Sequence, residues 1–221
     1  TVILNGQVGS VENNGSTFGV GGWGGALRLR KQFVQKFADA SFSTDERNTI
    51  ISGARPIEIT NIALQGQGFV LGKFSNKTST GVAGANQTFV DTDFPLFRLG
   101  DVYLMYAECA KRGAGNATMS QALTYVNDLR ERANNSTANN IGNTSDLTLD
   151  FLLDERPREL HWEGHRRQDL IRFNKYVGGS YNWTWKGNSS SGVAIPNHFK
   201  VFPIPSNSLA ANPNLTQNTG Y

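Results

Sequence analysis

The chain has 221 residues, 38% of them hydrophobic, and its 21 basic and 18 acidic side chains give a net charge of +3. This length can bury a sizeable core in one or two domains. The charge excess is small and no long basic run occurs, which argues against a nucleic-acid-binding protein. The sequence has no run of about 18 apolar residues, which argues against a membrane-spanning helix.

The N-terminal residues and the cysteine content give further expectations. Residues 1–6 lack the charged region and long apolar stretch of a signal peptide, and no cysteine near them could carry a lipid. We therefore expect a portion of a longer precursor. The single cysteine, Cys109, excludes an intramolecular disulfide, and its apolar helical surroundings predict a buried, unreactive thiol.

The first 93 residues predict few regular elements. Residues 1–25 are glycine-rich and predict irregular structure, whereas the apolar spacing over 26–38 predicts an amphipathic helix. Alternating residues at 57–60 and an apolar run at 69–74 predict short strands near the core. The polar stretch 75–93 predicts a long surface loop.

From residue 97 onward the pattern becomes helical. Apolar residues with a period near 3.6 predict one helix closed by Gly113 and a second that begins with capping-box spacing between Thr118 and Gln121. Their short link predicts an antiparallel hairpin. A third helix is predicted from Thr148, with a kink or break at Pro157. A fourth is predicted over 165–175, and an extended segment over 199–205.

These elements predict a mainly α fold with irregular loops and a few short strands. Two helical hairpins in series, with alternating small and aromatic positions, are similar to tetratricopeptide packing. The repeat is too degenerate for the sequence alone to establish that packing.

The most informative segment is 154–173, where acidic residues and arginines surround an apolar stripe. Glu155 and Glu159 lie one helical turn apart, as an acid/base pair could. However, neighbouring guanidinium groups hold carboxylates ionised, which is unsuitable for a general acid. Paired charges can be buried where single charges cannot. The segment therefore predicts two helices joined by a structural ion-pair network of Glu155, Arg156, Arg158, Glu159, Arg166, Arg167, Asp169 and Arg172.

No other motif predicts catalysis or a bound cofactor. His161, Glu163 and His165 are metal-ligand types close in sequence, but Gly164 spoils a helical face shared by the histidines, so no metal site is predicted. The sequence has no nucleophile elbow, phosphate loop or dinucleotide fingerprint. A glycoside hydrolase needs two carboxylates across a cleft, and no isolated pair stands out. We expect no enzymatic activity.

Four blocks of the sequence resemble the SusD-like (RagB/SusD) family. They are residues 92–108, residues 154–173, the Phe202-Pro203-Ile204-Pro205 block, and the tail from Asn212-Pro213 to Gly220-Tyr221. Their order and spacing agree with the family, and upstream the match weakens to Trp23-Gly24-Gly25 and Asp45-Glu46-Arg47. Family members are much longer. The resemblance implies one C-terminal SusD-like region over 1–221, with a loop-rich middle segment at 1–93 and helical hairpins and a tail at 94–221.

The resemblance also implies glycan capture at the surface of a Bacteroidetes-type bacterium. Such proteins are outer-membrane lipoproteins, here tethered by a lipid outside this chain, that pass oligosaccharides or polysaccharides to a SusC-type TonB-dependent transporter. The resemblance implies no cofactor, no bond-breaking and no nucleic-acid partner. Two alternatives remain open: capture of a non-glycan nutrient such as peptide, and a scaffold that contacts the transporter without a ligand site of its own.

Glycan binding needs flat apolar faces, and the sequence offers five candidate rings. Trp23 and Phe18 lie in the glycine-rich N-terminal segment. The other three lie in 178–187, and two of them would point the same way if that segment were extended; the three are Tyr181, Trp183 and Trp185. For each ring the alternative is that it covers the core. Trp162, on a helical stripe, is predicted to be a core residue.

Overall fold

The computed structural model describes residues 2–22 and 27–221, and the chain divides into two compact units, Thr1–Arg166 and Arg167–Tyr221. Within the described residues, seven α-helices and two short strands make up the regular structure, together with several 3₁₀ turns. The mainly α fold class is therefore confirmed. No helix in these ranges is long and apolar enough to cross a lipid bilayer. The sequence-based assignment of 1–221 to a single region stays a prediction.

The core of the first unit is a helical hairpin. Its helices are α3 (Leu99–Lys111) and α4 (Met119–Asn134), and α3 also packs against α5 (Leu149–Leu160). Gly113 has φ 83°, the left-handed conformation predicted for it. The buried apolar side chains at the centre are Leu104, Ala107, Ala110, Ala122, Val126, Leu129, Leu147, Leu152 and Leu160.

Tyrosine rings fix how the two hairpin helices meet. The rings of Tyr103 and Tyr125 stack with centroids 4.2 Å apart, and the Tyr106 ring meets Tyr125 edge-on at 5.1 Å. The Thr118 side chain accepts a hydrogen bond from the Gln121 backbone N–H, as the capping-box spacing predicts. The Thr118 N–H donates to the Tyr106 hydroxyl at 3.1 Å. The α4 N-terminus is therefore held by α3.

Helix α5 begins where predicted but runs through its proline. The Thr148 side chain caps it, and it continues without a break to Leu160. Pro157 has no N–H for the carbonyl of Leu153, one turn earlier. The Arg166 guanidinium donates to that carbonyl at 2.7 Å, so a side chain supplies the missing donor. Of the two predicted outcomes at Pro157, a kink or a break, the break does not occur.

The N-terminal part of the first unit contains more structure than predicted. Residues 1–25 were predicted irregular, yet they contain α1 (Val2–Gln7) and a 3₁₀ turn at Gly15–Phe18. The predicted helix over 26–38 forms only as α2 (Lys31–Val34) and a 3₁₀ turn at Gln35–Phe37. Strands β1 (Ile50–Ile51) and β2 (Val70–Leu71) pair antiparallel, with Ile50 opposite Leu71. Residues 57–60 form no strand, although Ile59 is buried there.

Cys109 is exposed, which corrects the prediction of a buried thiol. Helix α3 carries two apolar faces, and its buried face includes Leu104 and Ala107. The opposite face leaves Leu99, Val102 and Met105 with 43–62% of their surface exposed, and Cys109 lies on that side. Sequence periodicity detects both stripes and cannot tell which one is covered.

The second unit is built from short elements. Helix α6 (Arg166–Arg172) starts at the last residue of the first unit, and α7 (Ser206–Ala211) lies near the C-terminus. The buried apolar residues of the second unit are Leu170 and Phe173. Two 3₁₀ turns of this unit lie at Lys186–Asn188 and Asn197–Lys200. The prediction of an extended segment over 199–205 is therefore wrong at its start, where the second 3₁₀ turn ends.

Candidate functional site

A cluster of buried charges lies beneath α5, and Glu155 is at its centre. The Glu155 side chain is fully buried. One carboxylate oxygen accepts from the Arg47 guanidinium at 2.7 Å, and the other accepts from Arg158 at 2.8 and 2.9 Å and from Arg130 at 3.3 Å. The same Arg47 also pairs with Asp45 at 2.6 Å. Three guanidinium groups thus surround one carboxylate.

Glu159, one turn later, is the second centre of this cluster. Its carboxylate accepts from Arg132 at 2.7 Å and from Arg47 at 3.4 Å, and it also pairs with Arg98. Arg98 continues to Glu163 at 2.6 Å, and Glu163 pairs with Lys73. The cluster therefore connects residues from five separate stretches of the first unit.

Burial and charge act in opposite directions on the Glu155 carboxyl. Burial alone would raise its pKa, but the guanidinium groups of Arg47, Arg158 and Arg130 outweigh burial and lower the pKa to about 2. Glu163 follows the same pattern, since Arg98 and Lys73 lower its pKa despite burial. Neither carboxyl holds a proton at neutral pH, so neither can act as a general acid.

His161 lies beside the cluster as a neutral imidazole. Burial and the nearby Lys73 ammonium lower its pKa to about 4. Its Nδ1 lies 3.1 Å from the carbonyl oxygens of Pro157 and Arg158, so Nδ1 carries the proton and donates. Its Nε2 is therefore the acceptor for the Thr49 hydroxyl at 3.2 Å. These contacts give His161 a packing role. In the described parts of the chain no three metal-ligating side chains cluster.

The other residues predicted for the ion-pair network lie in different settings. Arg156 pairs with Asp101 at 2.8 Å, and Arg166 bonds the Leu153 carbonyl. Within the second unit, Asp169 and Arg172 pair at 2.8 Å. Arg167 donates to the Phe199 carbonyl at 2.7 Å and its guanidinium lies 4.2 Å from the Phe202 ring centroid. That the network locks two helices in register stays a prediction.

Sequence reasoning missed several members of the cluster that lie far away along the chain. They are Asp45, Arg47, Lys73, Arg98, Arg130 and Arg132. The weak signal for the first two is the Asp45-Glu46-Arg47 block, which belongs to the family resemblance.

The five candidate sugar-binding rings lie in different environments. Trp23 lies outside the described residues. Phe18 is half-buried and packs against the cluster of Leu4, Val8 and Val20, so its ring covers core. Trp162 is half-buried with φ 64°, which corrects the prediction of a core residue on a helical stripe.

The segment around Trp183 is turned, not extended. Trp185 has φ 66° and immediately precedes the 3₁₀ turn at Lys186–Asn188, so the extended geometry that would align Trp183 and Trp185 does not form. Tyr181, Trp183 and Trp185 are all half-buried. The Trp183 ring stacks on Tyr176 with centroids 6.3 Å apart. Sugar contact by these three rings stays a prediction, and their packing favours a structural role.

Lys186 explains why this segment turns. It is 1% exposed, and its ammonium donates to the carbonyl oxygens of Gly178 and Tyr181 at 2.8 and 2.7 Å. The same ammonium lies 4.8 Å from the centroid of the Trp183 ring, and burial lowers its pKa. A buried cation therefore holds the backbone and the rings together.

Comparison with known proteins gives a consistent result. The model described as the SusD family matches residues 13–221 of this chain. The chain is 35% identical over 181 residues to the starch-binding protein SusD of Bacteroides thetaiotaomicron, covering 80% of this chain and 31% of that protein. It is 36% identical over 132 residues to SusD-like protein P25 of Formosa agariphila, covering 57% and 24%.

Solved structures agree on the fold. A SusD superfamily protein from Parabacteroides distasonis superposes with a TM-score of 0.61 at 25% identity, covering 99% of this chain and 46% of that chain. Surface glycan-binding protein A from Bacteroides thetaiotaomicron, in complex with laminarihexaose, gives a TM-score of 0.66 at 23% identity with the same coverage. This second likeness shows the fold alone. The chain spans less than half the length of these relatives.

Proposed function

Because the chain belongs to the SusD family, we propose that it takes part in capturing oligosaccharides or polysaccharides at a bacterial cell surface. The observation that carries the proposal is the family match over residues 13–221. A relative at 35% identity that is named a starch-binding protein supports it. The mechanism is binding alone, through stacking of aromatic rings on sugar C–H faces and hydrogen bonds to hydroxyl groups.

The charged cluster supports a role without bond-breaking. A glycoside hydrolase needs one carboxyl group that keeps its proton near neutral pH and a second carboxylate across a cleft. Glu155 and Glu163 have lowered pKa values, and Glu159 is paired with three guanidinium groups. Release of reducing ends from a polysaccharide by the purified chain would contradict this part of the proposal.

The proposed location is the outer face of the outer membrane, where a parent protein would be held by a lipid outside this chain. There it would cover a SusC-type TonB-dependent transporter and hand bound sugar to it. Family membership supports this partner and this tether.

A scaffold role is the second candidate function, because one surface suits contact with protein more than with sugar. Contiguous exposed apolar residues mark interaction surfaces. Exposed apolar residues occur just before α3 and along its outer face, and each has 43–91% of its surface exposed. They are Leu96, Phe97, Leu99, Val102 and Met105. In this reading the chain contacts the transporter, or other protein surface, and has no ligand site.

Affinity electrophoresis tests the proposal directly. The purified chain is run through native gels that contain starch, laminarin or no polysaccharide. Glycan capture predicts slower migration in at least one polysaccharide gel, and a smaller effect for Trp23→Ala. Phe97→Ala is the matched control, because it removes a 91% exposed ring from the α3 surface. Equal migration in all gels would reject glycan capture by this chain and favour the scaffold.

A further inference from the structure

We propose that the loop at residues 84–91 forms part of the carbohydrate-binding surface, with the Phe89 ring as a sugar-stacking face and the Gln87 amide as a hydrogen-bonding group. This inference rests on the proposed function and deepens it. Phe89 is 73% exposed, and Gln87 is exposed with no side-chain hydrogen bond to any described residue. An exposed flat ring and an exposed amide on one loop are groups that can contact a sugar.

The tip of this loop has a fixed conformation. The Asn86 side-chain oxygen accepts hydrogen bonds from the backbone N–H groups of Thr88 and Phe89, at 2.8 and 2.9 Å. This arrangement is a turn closed by an asparagine side chain. Val90, the next residue, packs against the Leu4 cluster of the core. Because Val90 faces inward, the Phe89 ring faces the solvent.

A buried asparagine holds the base of the loop. Asn76 is 4% exposed, and its side-chain N–H groups donate to the carbonyl oxygens of Gly19 and Asn86 at 3.0 Å each. Its side-chain oxygen accepts from the Asp91 N–H at 3.0 Å. Gly84 passes so close that a Cβ there would lie 2.5 Å from this oxygen. A rigid loop loses little conformational entropy when it binds, which favours affinity.

The loop contacts Gly21, which comes two positions before Trp23 in the sequence; Trp23, a ring predicted from sequence as a sugar contact, lies outside the described residues. The backbone N–H of Gly21 donates to the Gln87 carbonyl at 3.4 Å. The Asn5 side chain donates to the Thr88 carbonyl at 3.5 Å, and its own buried oxygen has no partner among the described residues. The loop therefore carries an exposed ring and an exposed amide, and it contacts Asn5, whose buried oxygen has no partner among the described residues.

Isothermal titration with soluble starch and with laminarihexaose tests this inference. We expect Phe89→Ala to weaken the affinity for whichever sugar the unsubstituted chain binds by about tenfold, the loss of one stacked ring. Phe89→Tyr keeps a flat ring and should bind within about threefold of the unsubstituted chain. Phe97→Ala removes a phenylalanine that is more exposed than Phe89, 91% against 73%, and should change nothing. Melting temperatures should be unchanged, because Phe89 is exposed.

Each outcome has one meaning. Equal affinities for Phe89→Ala and the unsubstituted chain, with weaker binding by Trp23→Ala, would overturn the role of this loop and leave glycan capture standing. Equal losses in Phe89→Ala and Phe97→Ala would also overturn it, because the effect would not be specific to this loop. If the unsubstituted chain binds neither sugar and is not retarded by any polysaccharide, the proposed function fails and this inference fails with it.

Discussion

Replacing Glu155 by glutamine tests whether the charges buried beneath α5 stabilise the first unit. The substitution keeps the side-chain volume and removes one negative charge from among the guanidinium groups of Arg47, Arg130 and Arg158. Those cations then lie buried without their main counter-charge. The cost of that loss can be worked out in two ways.

The first estimate uses the Glu155 pKa, which the cluster lowers from 4.5 to about 2. Each pKa unit corresponds to about 1.4 kcal/mol, so the folded state favours the ionised carboxylate by about 3 kcal/mol. The second estimate uses the stability that proteins lose when one partner of a buried ion pair is removed, which is about 3–5 kcal/mol. We therefore expect Glu155→Gln to lower the free energy of unfolding by about 3 kcal/mol at pH 7.

The pH dependence has a definite sign. Because the Glu155 pKa is lower in the folded state, its stabilisation is fully present above pH 4.5 and is lost as the pH falls toward 2. The difference between Glu155→Gln and the unsubstituted chain should therefore shrink over that window.

Urea unfolding followed by far-UV circular dichroism measures this loss. Urea is preferred because guanidinium is itself a salt and screens ion pairs. The matched control is Glu46→Gln, the same chemical change at an exposed carboxylate that accepts from Asn135, and we expect it to stay within about 0.5 kcal/mol. A loss below about 1 kcal/mol for Glu155→Gln, or one equal to that of Glu46→Gln, would refute the reasoning.

Three further predictions concern other buried groups. The His161 pKa is about 4 in the folded state and 6.5 in the unfolded state, so protonation favours unfolding below pH 6.5. Between pH 7 and pH 5 the free energy of unfolding should therefore fall by about 1–2 kcal/mol more in the unsubstituted chain than in His161→Gln. Urea midpoints that shift in parallel for the two proteins would contradict this. Arg166→Met should cost about 1–3 kcal/mol by leaving the Leu153 carbonyl without its donor. Its cost should fall in a Pro157→Ala background, where a backbone N–H is restored; equal costs in both backgrounds would reject that explanation. Lys186→Met removes the ammonium that donates to the Gly178 and Tyr181 carbonyls, so it should reduce the near-UV circular dichroism of the tryptophans and lower the melting temperature. An unchanged spectrum would show that the ammonium does not order the rings.

Local sequence patterns predicted what local physics determines. Thr118, Gly113 and Thr148 mark helix ends through contacts within a few residues, and the structure places all three as predicted. The hairpin core follows from the same short-range periodicity. The sequence leaves a kink and a break at Pro157 both open, because the donor that replaces the missing N–H, the Arg166 guanidinium, comes from beyond the helix end. A missing backbone donor is visible in the sequence, whereas its replacement is not.

The charged cluster could be predicted only in part for the same reason. Glu155 and Arg158 are neighbours on one helix, but Arg47 lies 108 residues before Glu155 in the chain. Spacing along the sequence carries no information about such partners. Likewise, the alternation of Trp183 and Trp185 suggested a common direction. The hydrogen bonds of Lys186 bend that segment instead, which the residue pattern does not reveal.

The ionic character of the α5 contacts has a consequence for how the fold responds to temperature. Exposure of apolar surface on unfolding raises the heat capacity, whereas exposure of polar surface lowers it. Glu155, Glu159, Arg47 and Arg158 are all nearly fully buried and all polar, so their unfolding offsets part of the apolar contribution. A smaller heat-capacity change flattens the curve of stability against temperature. The first unit should therefore keep its stability over a wider range, in the cold as well as in the heat, than a hydrocarbon core of the same size would allow.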